Sequence, residues 1–437
     1  MFDSPRSRRT ETAREDAFPG GIGEEWPPFL LLACITLLFL SQTPAVPVGA
    51  QLACILGGIG GLVATLAVCR GFAENIGRAA LKAPFFLLLL LTGYATYRFL
   101  TTPPLFKLLA TVDLLRVYGG SLAFFACAYI LGTARQLSRL VIGIFIFAIF
   151  VAFADFNKFS TRGYAGDYFV YNTSVLGLHM TVGGFLAMLV PVVAAFAFLP
   201  GGDDKHRLAA QLTFIVIGFA LILARSRSGW VAGAAALVVV ALLIGRVVLR
   251  ERWRRGTEKA PPRRGEHPVL RLLNSPYLWV VAGIVVLIVG GGISGVLQKR
   301  GADLGKVASG NLAESGTSVR LRLNYVRGAL LMLRDKPVTG FGLGGYMVEQ
   351  GKYTHTGDEP IKVLRDGTAH QNRAHNYYLQ WAVDTGNIGL FLHGAFVAAW
   401  LFAMMRGIPV APSPVRRALA IGAVGAVVAG VVDAVAS

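Results

Sequence analysis

The chain has 437 residues, of which 54% are hydrophobic and only 15% charged, and its mean hydropathy is +0.57. So little charge excludes an ordinary soluble globular protein, and the apolar residues arrive in long blocks rather than at the period of a strand or a surface helix. The net charge of +18 does not point to nucleic acid, because the basic residues lie between the apolar blocks, where they meet anionic lipid headgroups and set orientation.

Residues 1–25 are polar and charged and lack the apolar centre of a cleavable signal. Apolar blocks of spanning length follow at about 28–45, 48–69, 84–101, 114–132, 138–155, 173–199, 208–224, 229–249, 277–297, 386–405 and 418–435. Each is near the ~20 residues that a bilayer requires of a helix. The expected fold is therefore an all-α integral membrane protein with about 11–12 transmembrane helices, a single polytopic domain over 1–437. Cys34, Cys54, Cys69 and Cys127 all fall inside apolar blocks and read as small buried hydrophobes, without a disulfide framework or a metal site.

Orientation follows from the basic residues. The N-terminal segment and the connections near residues 70–82, 135–139, 205–207, 250–276 and 406–417 are rich in Lys and Arg, whereas the short loops opposite carry few. This bias places the N-terminus in the cytoplasm, and with it the basic loop 250–276, which reads as an electrostatic anchor. The chain stops at Asp433–Ser437 as the last block should reach the outer side, so either the C-terminus is external or one more span is missing.

One outer connection, 298–385, is far longer than a turn and is expected to carry short helices. Within it Thr317–Arg334 reads as an amphipathic helix, with Arg320, Arg327 and Arg334 spaced by seven along one stripe and Asn324 beside them. Pro337 ends that helix, and Gly340-Phe341-Gly342-Leu343-Gly344-Gly345 forms a flexible turn. At the loop's exit come His375 and Asn376, and nine residues later Gly386-x-x-Gly389 opens the next apolar block.

Under this topology several unusual residues share the outer face: Arg98 at the end of the third block, Arg225 and Arg227 around Ser226, Arg320, Arg322 and Arg327 on the loop helix, and His375 with Asn376. Singly, each also fits a bland role: snorkelling to headgroups for Arg225 and Arg227, a solvated helix face for the loop arginines, an interfacial polar residue for His375. Together they place phosphate-binding guanidinium groups near a side chain that takes a proton at neutral pH. Asp155 and His179 fall near the same face but fit an interfacial acid and a buried histidine better. His355, His370, Asp358, Glu359 and Asp366 lack metal-ligand spacing, and no metal or cofactor is expected.

Three of these motifs carry a family resemblance. Arg225-Ser226-Arg227-Ser228-Gly229-Trp230 at a span start resembles the Ser-Arg-(Ser/Gly)-Gly signature of the O-antigen ligase and polymerase family. Arg327 with Leu331, followed by Pro337 to Gly345, is similar to that family's long periplasmic loop with its Pro-x-x-Gly-x-Gly ending. His375-Asn376, nine residues, then Gly386-x-x-Gly389 matches the histidine motif of its ligases. The likeness runs from about 172 onward; before that only Arg98 and hydropathy match. The family usually has about twelve spans and a cytoplasmic C-terminus; this chain lacks a clear last span, and a truncated sequence is expected rather than a novel topology.

The resemblance implies a metal-independent enzyme of the bacterial inner membrane. It would transfer a glycan from an undecaprenyl-pyrophosphate-linked donor to an acceptor hydroxyl, lipid A-core for a ligase or another lipid-linked glycan for a polymerase. It further implies that His375 is the general base, that Asn376 orients it or the substrate, and that Arg225, Arg227, Arg98, Arg320, Arg322 and Arg327 hold the donor pyrophosphate. A single large outer loop favours the ligase. A transporter is the reading from another class, but the notable charges gather at one surface and not at the bilayer midplane.

Overall fold

The structure is a computed structural model that describes residues 27–40, 48–68, 82–130, 134–162, 173–174, 177–201, 204–224, 226–255, 317–353, 374, 376–411 and 413–436. Its elements in chain order are α1 Pro27–Leu40, α2 Val48–Val68, α3 Ala83–Leu100, α4 Lys107–Ile130, α5 Ala134–Arg162, β1 Thr173–Ser174, β2 Gly177–Leu178, α6 His179–Phe198, α7 Asp204–Leu223 and α8 Arg227–Arg255. Then follow α9 Thr317–Asp335, α10 Gly345–Glu349, α11 Tyr377–Gly407 and α12 Pro414–Ala436. Apart from the two-residue antiparallel ladder of β1 and β2, the described residues form an all-α integral membrane protein. Among the described residues seven helices are long and apolar enough to cross a bilayer, and Pro27–Leu38, Val182–Phe198 and Arg207–Leu223 are shorter apolar helices. The block at 277–297, the basic loop beyond Arg255 and the first part of the long loop lie outside the described residues.

Many large apolar side chains point outward, Leu242, Phe153 and Phe391 among them, at 68%, 68% and 73% exposure. In water such a surface would be untenable, whereas acyl chains accept it. With lipid outside, burial alone cannot draw the helices together, so close backbone approach must do so. The chain provides it. A Cβ on Gly422 of α12 would lie 2.6 Å from Val192 Cα of α6, and one on Gly425 would lie 2.5 Å from Pro191 Cβ.

The largest core joins α5, α6, α7, α8 and α12 around Leu186, Val190, Ile217, Leu237 and Ile421. A second packs α1 and α2 against α4, through Leu31, Ile55 and Leu62. A third ties α3 and α4 to the long loop and α11 through Leu91, Ala110, Leu343 and Trp381. Polar side chains inside this part find partners, as lipid demands: Thr92 Oγ1 lies 2.8 Å from Ser121 Oγ and Thr96 Oγ1 2.8 Å from Tyr118 Oη. Arg116 in α4 pairs with Asp113 at 3.0 Å and donates to Gln51 Oε1 at 2.8 Å.

The chain order and the contacts fix which ends share a side. Only the 3-10 turn Ile408–Val410 and residues 411–413 separate α11 from α12, so the stretch of α11 from Asn387 and the whole of α12 have their far ends at one end of the bundle. At the other end Arg417 of α12 donates to Glu251 of α8 at 2.6 Å. The start of α8, with Ser226 and Arg227, therefore shares the first end with the Gly386–Asn387 part of α11.

Candidate functional site: a broken helix clamped by the long loop

The expected amphipathic helix is α9, and it stops at Asp335 ahead of Pro337. Its inner face buries Tyr325, Ala329 and Met332, and these pack with Phe341, Tyr346, Ala374 and Val383 into a small core of their own. Arg327 and Arg334 lie on the opposite, exposed face, as a spacing of seven predicts. Arg320 and Arg322 belong to the first turns of α9, but their side chains lie outside the described residues. Tyr353 donates to Asp335 Oδ2 at 2.7 Å, a bond that pushes its phenol up to about 12.

Asn376 is the N-cap of α11: its backbone is extended and its Oδ1 accepts from Leu379 N–H at 3.0 Å. The cap supplies one of the partners that the first turn of a helix lacks. Gln380 Oε1 reaches back to accept from Ala374 N–H at 3.2 Å, which fixes the chain on both sides of position 375. His375 itself lies outside the described residues.

α11 is not one rod. Gly386 adopts φ 73° and ψ −177°, which breaks it into an arm over 377–385 and a spanning segment over 387–407. The arm folds back on the segment. The ring centroids of Trp381 and His393 lie 6.0 Å apart, as do those of Tyr377 and His393. In a straight helix, a separation of sixteen residues would hold Tyr377 and His393 about 24 Å apart. Trp381 Nε1–H donates across the fold to Gly389 C=O at 3.1 Å.

A break of this kind frees backbone groups that the helix would have paired, and in a membrane each must find another partner. The segment after α9 supplies them. Phe341 N–H donates to Val383 C=O at 2.9 Å and Gly342 N–H to Asp384 C=O at 2.9 Å. In return Asn387 N–H donates to Pro337 C=O at 2.8 Å and Ile388 N–H to Val338 C=O at 3.5 Å. Tyr94 Oη–H of α3 donates to Thr385 C=O at 2.7 Å. The buried carboxylate of Asp384 accepts from Tyr346 N–H at 2.7 Å and also from Gly344 N–H, at the start of α10.

Glycine is required where the two backbones meet. A Cβ on Gly386 would lie 2.1 Å from Val338 O, and one on Gly340, where φ is +68°, 2.4 Å from Val383 O. The Gly-rich stretch read from the sequence as a flexible turn is thus a fitted clamp. The signal available beforehand was the pairing of two glycine motifs, which only a close approach of backbones explains.

Arg98 belongs to this clamp. It is buried, 6% exposed, and its guanidinium donates through Nη1 to Thr101 Oγ1 at 2.8 Å and through Nη2 to Gly340 C=O at 3.2 Å. Its Nε is buried without a partner. The sequence assigned Arg98 to the donor; the partners it has here are the loop and its own helix end.

The second motif forms the start of α8. Ser226 is buried and caps the helix, accepting from Gly229 N–H at 3.2 Å, and Trp230 Nε1–H donates to Leu221 C=O at 2.8 Å. Arg227 is half-buried, and Arg225 lies outside the described residues. This turn is held against the start of α6: a Cβ on Gly183 would lie 2.1 Å from Ser226 Cβ, and one on Gly229 2.7 Å from Gly183 O. Ser228 hydrogen-bonds the carboxyl of Asp433 near the end of α12. Asp433 and its bond to Ser228 had no sequence signal, because only the packing of α6, α8 and α12 brings them together. Among the described residues no group of histidine, cysteine or carboxylate side chains could hold a metal ion.

An arginine-bearing loop thus closes over a broken helix at one end of a polytopic all-α bundle, with a capped Ser-Arg-Ser-Gly turn at the same end. The apolar helices of that bundle define a multi-pass membrane protein. Residues 212–394 match the family described as O-antigen ligase. The match begins inside α7 and ends just past the break in α11; it takes in the Ser-Arg-Ser-Gly turn, the loop helix and the histidine motif but excludes Arg98 and Asp433. No curated protein matches the chain.

Proposed function

We propose that the protein is a membrane glycosyltransferase that transfers a glycan from undecaprenyl pyrophosphate to an acceptor hydroxyl, as an O-antigen ligase acting on lipid A-core. Its work would be done on the outer face of the bacterial inner membrane. The observation that carries this reading is the clamp of Pro337–Gly342 around Gly386, which fastens the arginine-bearing helix α9 to the arm that begins at Asn376. The family match over the same residues supports it.

In the reaction the acceptor oxygen attacks the sugar C1 from the side opposite the leaving group, and the C1–O bond to the pyrophosphate breaks. The hydroxyl proton passes to the His375 imidazole, and the anomeric configuration inverts. The leaving pyrophosphate keeps its charge, so fixed cations must meet it, and no metal is needed if guanidinium groups do so. Arg225 and Arg227 take that role, with Arg320, Arg322 and Arg327 on the loop. Arg98, with its donors turned to Gly340 and Thr101, acts by holding the loop in register.

The test is a lipopolysaccharide gel from a deletion strain complemented with wild type or His375→Ala. Loss of every O-antigen band in the deletion, restored by wild type and not by His375→Ala, is the expected result. A single short-repeat band would instead mean a polymerase, and near-normal transfer by His375→Ala would defeat the assignment of the base.

A further inference from the structure

A concavity lies at the end of the bundle opposite the clamp, lined by the last turns of the α8 span, the end of α11 with its 3-10 turn, and the first turn of α12. Its volume is about 100 Å³. Three guanidinium groups border it, Arg246 and Arg250 from one face of α8 and Arg417 from α12, against the single carboxylate of Glu251. The rest of the lining is mostly apolar, with Leu243 and Val247 on the same stripe of α8 and Met405, Ile408 and Pro409 from the end of α11 and its 3-10 turn.

Isolated arginines at a helix end snorkel outward to headgroups and need no cavity. These come from two helices far apart in the chain and border one hollow. Glu251 does not neutralise them: it accepts from Arg417 Nη1 at 2.6 Å, which anchors that side chain, while Arg417 Nε is buried without a partner. A surplus of two positive charges therefore faces a space whose remaining lining is mostly apolar.

We infer that this hollow binds an anionic phosphate group at the membrane–water boundary, with the arginines on the phosphate oxygens and the apolar wall along an acyl chain or an organic substituent. Guanidinium groups hold phosphate through parallel charge-assisted bonds, and basic hollows between helices are where lipid phosphates lodge. The site is separate from the clamp, because it lies at the far ends of α8 and α11.

The test uses the purified full-length chain in neutral detergent. Phosphatidylglycerol, phosphatidylcholine or inorganic phosphate is added, and retained lipid is read by native mass spectrometry and protection by the melting temperature. Phosphatidylglycerol should be retained and raise the melting temperature. Arg246→Gln with Arg250→Gln should weaken its binding by about tenfold or more. Met405→Trp, which fills the hollow and leaves the charges in place, should do the same. Arg406→Gln should bind as wild type does, since Arg406 stacks on Phe402 and does not border the hollow. Equal protection by inorganic phosphate would uphold the phosphate site and assign it to a soluble anion. Equal protection by phosphatidylcholine, or binding undiminished in both hollow variants, would overturn the inference.

Discussion

Gly386→Ala tests the clamp most directly. The substitution places an L-residue at φ 73° and ψ −177°, a region essentially confined to glycine that costs roughly 1–3 kcal/mol. Its Cβ would also meet Val338 O at 2.1 Å, Val338 C at 2.4 Å and Thr339 N at 2.6 Å, all backbone atoms that cannot swing aside. The loop must therefore retreat, and the four reciprocal bonds between 337–342 and 383–388 stretch or break. Each bond lost would cost about 1 kcal/mol, and more where a buried group is left without a partner. The expected total is several kcal/mol of local stability, enough to unseat the arm without unfolding the α5–α8 and α12 core. Displacing the arm by about 1 Å would lower glycan transfer by roughly 100-fold. Transfer would be measured with purified protein and lipid-linked donor, alongside Trp fluorescence as a reporter of the Trp381–Gly389 bond. Gly394→Ala is the control: it lies in the same helix, and no atom lies within 4 Å of its would-be Cβ. If Gly386→Ala transferred glycan and melted like Gly394→Ala, the clamp would have no part in the activity.

Two further outcomes follow from the same geometry. Arg98→Met should leave the buried Gly340 carbonyl short of a donor and lower turnover while changing donor affinity little; a large loss of donor binding with unchanged turnover would instead make Arg98 a donor contact. Gly183→Ala should push Ser226 away and shift Arg227 with it, so donor binding weakens although no donor-contacting side chain has changed; unaltered donor affinity would sever the link between α6 and the Ser-Arg-Ser-Gly turn.

Much of the architecture was legible beforehand. Ten of the apolar blocks coincide with described helices within several residues at most ends, because a span needs only a long apolar run and lipid imposes no finer code. The block predicted to open at 386 does so where α11 breaks, since Gly386 closes the less apolar arm and begins the uniformly apolar segment. The Pro337 stop and the arginine spacing along α9 were equally plain. Other features were not. The arm over 377–385 folds back on the spanning segment, and nothing in its local sequence encodes the direction of that fold. Asp384 reads as an ordinary charge near an apolar run, yet it is buried and caps α10. The Asp113–Arg116 pair passed unremarked inside a span because its compensation by Gln51 comes from another helix.

The sequence by itself therefore determined which of the described segments form long apolar helices. That property depends on runs of hydrophobicity, which are additive along the chain. Only the tertiary structure decided what the motifs do to one another: that the Pro-x-x-Gly-x-Gly stretch seals a broken helix, that Arg98 faces the loop, and that three arginines border a hollow at the far end. These are consequences of backbone groups and buried charges seeking partners where water is absent, and the partner is chosen by packing between segments tens to hundreds of residues apart.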